Sequence, residues 1–201
     1  ISIDTLHPLL LKFLDLVEHQ LKEPYSFKSF HEGIREPFDY YKFGLDFIKP
    51  LVVLDSSNVL NLEIADEINA LLSKGENVIL LANHQTEPDP QAISILLEKT
   101  HPQLAEEMIF VAGHRVISDP LCVPFSMGRN LLCIYSKKHI KTPPEKTVEK
   151  QQHNQRTMAK MKELLIEGGK CIYVAPSGGR DRLKEVAKFD PDSIELFSLI
   201  A

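Results

Sequence analysis

Tryptophan is missing from these 201 residues, and cysteine is sparse, with only Cys122, Cys133 and Cys171. The cysteines are odd in number and form no Cys-x-x-Cys pair, which excludes a disulfide framework and a zinc ribbon and fits a reducing compartment. Long apolar runs are missing too. Stretches such as residues 78–82 and 131–135 fall far short of the roughly 18 to 20 residues that span a bilayer, so no transmembrane segment is expected. No repeat period is visible, which excludes a solenoid. There is no Gly-x-Ser-x-Gly elbow to supply a serine nucleophile, no Walker loop and no dinucleotide fingerprint. The chain opens on Ile1 with no signal-like leader, and so reads as a processed or trimmed form.

What is present suits a packed protein. Hydrophobic residues make up 43% and charged residues 25%, close to the globular average, and the length suits one sizeable domain or a large domain with a small helical attachment. The net charge of -5, from 23 basic and 28 acidic residues, argues against a nucleic acid or anionic lipid partner held by overall charge. That total conceals a basic block: residues 137–162 carry eight basic side chains against two acidic ones. Such a block reads either as a local anion site or as a solvated helix face.

Apolar spacing predicts a helix over residues 3–22, using Leu6, Leu10, Phe13, Leu14, Val17 and Leu21, and a second from Pro37 to the break at Pro50, with no strand between them. Beyond residue 61 the texture alternates. Helices are expected around residues 64–72, at 90–99 and at 145–167, and strands at 77–82, 108–112, 131–135 and 170–175. Short strands separated by helices predict an α/β fold with a mainly parallel mixed sheet flanked by helices. The expected division is an N-terminal helical region, 1–56, and an α/β domain, 57–201. Ligands of such sheets sit in the loops after the carboxyl ends of the strands.

Three of those loops carry unusual chemistry. The first reads Asn83-His84-Gln85-Thr86-Glu87-Pro88-Asp89-Pro90, a His-x4-Asp arrangement. A carboxylate bonded to one imidazole nitrogen fixes the tautomer and leaves the other nitrogen to take a proton, making His84 a candidate general base and Asp89 its orienter. Asp89-Pro90 also suits the N-cap and first position of the next helix, and both readings stay open. The second loop, Ser136-Lys137-Lys138-His139-Ile140-Lys141, suits a phosphate or carboxylate, or is a solvated charge run. The third, Pro176-Ser177-Gly178-Gly179-Arg180-Asp181-Arg182, offers guanidinium forks matched to phosphate oxygens, or is an ordinary glycine turn. Arg115, Asp119 and Arg129 read equally as site lining or structural ion pairs. Cys133 and Cys171 read as small buried hydrophobes.

Taken together, these blocks resemble the glycerolipid acyltransferase superfamily, most closely its soluble plastid glycerol-3-phosphate acyltransferases. The likeness also includes Ser118-Asp119-Pro120-Leu121-Cys122, Pro124-Phe125-Ser126-Met127-Gly128-Arg129-Asn130 and Tyr135-Ser136-Lys137-Lys138-His139. It implies transfer of a fatty acyl group from acyl carrier protein, or acyl-CoA, to the sn-1 hydroxyl of glycerol 3-phosphate, giving lysophosphatidate. By that resemblance His84 and Asp89 are catalytic, while Lys138, His139, Arg180 and Arg182 hold the substrate phosphate. No metal and no cofactor are implied, and a stromal, monomeric enzyme is expected when the chain is complete. Members of the family continue beyond Ala201, so the α/β layer is expected to be C-terminally incomplete, some two thirds of an enzyme, with apolar surface left uncovered. A binding module of the same fold, a catalytically impaired fragment, or a lysophosphatidate acyltransferase are the alternatives.

Overall fold

The computed structural model describes residues 3–137, 139–181 and 186–200. Helix α1 runs from Ile3 to Lys22, but the face it buries differs from the expected one. Leu10, Leu14 and Leu21 are exposed while Leu16 and Gln20 are buried. The aromatic side chains decide this: Phe13 lies 5.2 Å from Phe47 and 5.5 Å from Phe125, ring to ring, and turns the helix toward them. Gln20 follows inward because its carbonyl accepts from the Tyr25 amide at 2.9 Å. Helix α2, Tyr40–Ile48, starts later than Pro37 because Asp39 caps it, accepting from the Lys42 amide at 2.8 Å.

Between these helices lies a strand that the pattern does not predict. Strand β1, Phe30–His31, is two residues long, too short for any periodicity to reveal. It pairs antiparallel with β4, Asn130–Ile134, in register Phe30 to Leu132. Its partner loop fixes it, since His31 Nε2 sits 3.0 Å from the Met127 carbonyl. Gly128, next along, touches α2 so closely that a Cβ there would fall 2.5 Å from the Tyr40 carbonyl carbon.

The remaining elements are α3 (Leu62–Ser73), β2 (Val78–Leu81), α4 (Asp89–Leu97), α5 (Pro102–Glu107), β3 (Ile109–Gly113), α6 (Val123–Ser126), α7 (Thr147–Glu167), β5 (Cys171–Val174) and α8 (Pro191–Ile200). The short α5 and α6 and the terminal α8 are additions to the expected elements. Among the described residues the sheet has the order β1-β4-β3-β5-β2, parallel except at β1. The fold is therefore α/β with a mainly parallel mixed sheet, as the alternation predicts.

Side chains alternate across each strand, so the sheet has two apolar faces and a helical layer on each. Phe110 and Ala112 join Ala65, Ile68, Leu97 and Leu104 on the face covered by α3, α4 and α5. Ile109, Leu132 and Ile172 face Met161 and Leu164 of α7 and Phe197 of α8. Burial pushes the thiols of Cys133 and Cys171 up to about 12, which leaves both as inert core groups. Among the described residues, no helix is long and apolar enough to cross a membrane. Because β2 to β5 run parallel, their carboxyl ends deliver the three candidate loops to one edge of the sheet.

Candidate active site

The loop leaving β2 folds back on one carboxylate. Asp89 Oδ2 lies 2.7 Å from His84 Nδ1 and accepts from the Gln85 amide at 2.9 Å. Its Oδ1 accepts from the Thr86 amide at 2.8 Å and the Thr86 hydroxyl at 2.7 Å. Asp89 thus stands at the first position of α4 with its carboxylate turned back into the loop, and Pro88 is the N-cap, with no side-chain cap bond. Thr86 carries a role that spacing alone did not reveal, because a threonine in a turn gives no distinctive signal.

The electrostatics follow from these contacts. The hydrogen bond with Asp89 holds the His84 imidazole above its ordinary value of 6.5; burial and the charge of Arg180 oppose this, and the carboxylates of Asp89 and Glu87 add to it. Burial alone would raise the Asp89 carboxyl, but the bonds from His84, Thr86 and Gln85 outweigh it and hold the group below the usual carboxylate range. Asp89 therefore stays ionised whenever His84 titrates, and fixes Nδ1 as the protonated nitrogen. That leaves Nε2, which has no hydrogen-bond partner among the described residues, as the position for a mobile proton.

The loop after β5 locks onto the first. The Asp181 amide donates to the His84 carbonyl at 2.7 Å, and the Asp181 carboxylate accepts from Gln85 Nε2 at 2.6 Å and the Ala187 amide at 2.9 Å. Tyr173 adds a bond from its hydroxyl to the Asn83 carbonyl at 3.0 Å. Gly178 supplies a left-handed turn, with φ of 65°, two residues before Arg180. Arg180 Nη1 then stands 3.5 Å from Glu87 Oε1, and Arg115 Nη1 reaches the same oxygen at 3.4 Å. Glu87 so bridges two guanidiniums from separate loops. The sequence hid both Asp181 and Glu87, since their partners lie up to about a hundred residues away.

The basic loop after β4 is organised differently. Lys137 is drawn off by Asp190 at 2.9 Å and Asp192 at 3.0 Å, beside the start of α8, which removes it from the set of lysines expected to meet an anion. His139 is exposed, with its amide bonded to the Ser136 carbonyl at 2.9 Å. Lys138 and Arg182 lie outside the described residues. Arg129, left open between site and scaffold, is buried: it donates to Ser94 Oγ at 2.6 Å and packs over the Tyr41 ring at 4.6 Å.

Residues 60–199 match the family model described as Acyltransferase. The chain belongs to the acyltransferase family. The same family context covers all three loops, including the His84–Asp89 pair. The chain is 53% identical over 169 residues to a chloroplastic glycerol-3-phosphate acyltransferase of Cucurbita moschata, a match covering 84% of this chain and 37% of that protein. A protein of the same name from Spinacia oleracea is 52% identical over 169 residues, 84% of this chain and 36% of its own length. One from Arabidopsis thaliana is 48% identical over 162 residues, 81% and 35% respectively. The matched part of the chain thus spans little more than a third of these curated acyltransferases, against the two thirds expected.

Proposed function

We propose that this chain carries the acyl-transfer centre of a chloroplast glycerol-3-phosphate acyltransferase, with the acyltransferase domain in residues 57–201 and an N-terminal helical region in 1–56. The acceptor is the sn-1 hydroxyl of glycerol 3-phosphate, the donor is the thioester of acyl carrier protein or coenzyme A, and the product is lysophosphatidate. The observation that carries this reading is the His84–Asp89 pair, bonded at 2.7 Å beside a guanidinium-bearing loop.

A hydroxyl at its normal pKa is a weak nucleophile. His84 Nε2 takes the hydroxyl proton as the oxygen attacks the thioester carbonyl, and Asp89 balances the imidazolium that forms. When the tetrahedral intermediate collapses, the carbon–sulfur bond breaks and the departing thiolate takes the proton back from His84. No covalent acyl-enzyme is needed. Arg180, together with His139, Lys138 and Arg182, fixes the phosphate, so that the hydroxyl is presented to Nε2 rather than diffusing to it.

The test is turnover of a labelled acyl-carrier-protein thioester with glycerol 3-phosphate, in this chain and in one extended to the length of its relatives. The expected result is lysophosphatidate formation that His84→Ala abolishes. Turnover of the His84→Ala enzyme near the unsubstituted rate would overturn the mechanism, and acylation of lysophosphatidate in place of glycerol 3-phosphate would overturn the acceptor.

A further inference from the structure

The basic loop after β4 rests on a buried lysine. Lys150, in the first turn of α7, is 6% exposed. Its Nζ donates to the His139 carbonyl at 2.8 Å and to the Thr142 carbonyl, and stands 5.1 Å from the centre of the Tyr135 ring. Three features make this an unfavourable place for a cation. Burial strips its water. Among the described residues no carboxylate pairs with it within 4 Å, its contacts being two carbonyls and a ring. The positive end of the α7 dipole also opposes it, since cations are favoured at the other end of a helix.

Two imidazoles gather at the same place. The Tyr135 ring stacks on His114, with centroids 4.7 Å apart, and meets His153 edge-on at 5.2 Å. The His114 imidazole is held below its ordinary value by burial first and then by the charges of Lys150, His139, His153 and Lys146. The Tyr135 hydroxyl is raised by burial first and then by the charge of Glu149, an exposed carboxylate. Above the cluster the loop backbone is tied down: the amides of His139 and Ile140 both donate to the Ser136 carbonyl, at 2.9 and 3.0 Å, and Lys150 holds the His139 carbonyl. An exposed imidazole therefore stands on a fixed backbone over a buried ammonium that no carboxylate pairs with among the described residues.

We propose that Lys150 is a positioning residue for phosphate recognition: it clamps residues 139–142 so that His139 is presented to the phosphate of the acceptor, whose charge balances the buried ammonium. This rests on the glycerol-3-phosphate reading. It assigns α7 a part in the site although the helix lies behind the loop.

The test uses the chain extended to the length of its relatives, with Lys150→Met, Lys150→Gln and, as a control for lost charge on the same helix, the exposed Lys162→Met. Glycerol 3-phosphate saturation at fixed acyl donor gives one readout, and amide hydrogen exchange at Ile140 gives another that needs no substrate. In Lys150→Met the KM for glycerol 3-phosphate rises about tenfold or more, with kcat and the KM for the donor within about twofold. Ile140 exchange accelerates by a similar factor, and Lys162→Met leaves both readouts unchanged. Lys150→Gln, which keeps a donor without the charge, falls between and decides the matter if Lys150→Met does not fold. An unchanged KM, a loss confined to kcat, or unchanged Ile140 exchange overturns the proposal. Failure of the unsubstituted enzyme to use glycerol 3-phosphate overturns the functional reading instead, and the exchange result then still tells whether the clamp exists.

Discussion

The loop after β2 and the loop after β4 stand on the same edge of the sheet and are built on opposite plans. In the first, the side chains themselves are fixed. One carboxylate takes bonds from His84, Gln85 and both the amide and the hydroxyl of Thr86, and the Asp181 amide pins the His84 carbonyl from the loop after β5. In the second, the backbone is tied down through Ser136 and Lys150 and Lys137 is turned away to Asp190 and Asp192, while the His139 side chain stands exposed. Proton transfer fails over fractions of an ångström, whereas a phosphate dianion is attracted over several ångströms and accepts donors at many angles. The rigid loop suits the reacting atoms, and the anchored but exposed one suits an anion that must arrive and leave.

The sharpest break in that contrast comes from the rigid loop. His84→Ala removes the base outright and is expected to lower kcat by about 10³ or more, with thermal stability little changed, as measured by steady-state turnover and a melting curve. Asp89→Asn comes next, with kcat down about 10² and a change in pH profile. Because Asp89 holds His84 above 6.5, the base is protonated and idle at low pH, so activity rises with pH through that raised value. In Asp89→Asn the acidic limb moves to lower pH; a limb that stays in place would mean another group titrates. The anion-binding side predicts a different signature: Arg180→Met raises the KM for glycerol 3-phosphate about 10- to 100-fold and leaves kcat within a few-fold, measured by acceptor saturation. The smallest effect belongs to Lys137→Met. Its charge is already engaged by Asp190 and Asp192 at the surface, so the acceptor KM should stay within about twofold, and a larger change would place Lys137 in the phosphate site.

Much of the fold was legible because it is written in local spacing. Strands β2 to β5 and helices α3, α4 and α7 follow from alternation and from stop signals such as Gly75 and the glycines at 168 and 169. The pairing of His84 with Asp89 was also within reach, since five residues on a strand-to-helix turn hold the two groups close at little entropic cost. The choice between orienter and helix cap was not, and the direction in which the Asp89 carboxylate turns made it. Lys137 misled for a related reason: a charge run shows its sign, not which acidic residue more than fifty positions later will neutralise it.

Local pattern was enough for the α/β class, for the edge of the sheet that carries the candidate loops and for the closeness of His84 to Asp89, all of which depend on contacts between near neighbours. Tertiary structure alone decided that residues 30–31 would form an edge strand, and that α1 would bury Leu16 rather than Leu14. It also decided that Asp181 would brace His84 and that Lys150 would lie buried under His139. Each of these depends on which surfaces meet when the sheet closes. The gain from such a contact exists only after the chain between its partners has been ordered by the rest of the core.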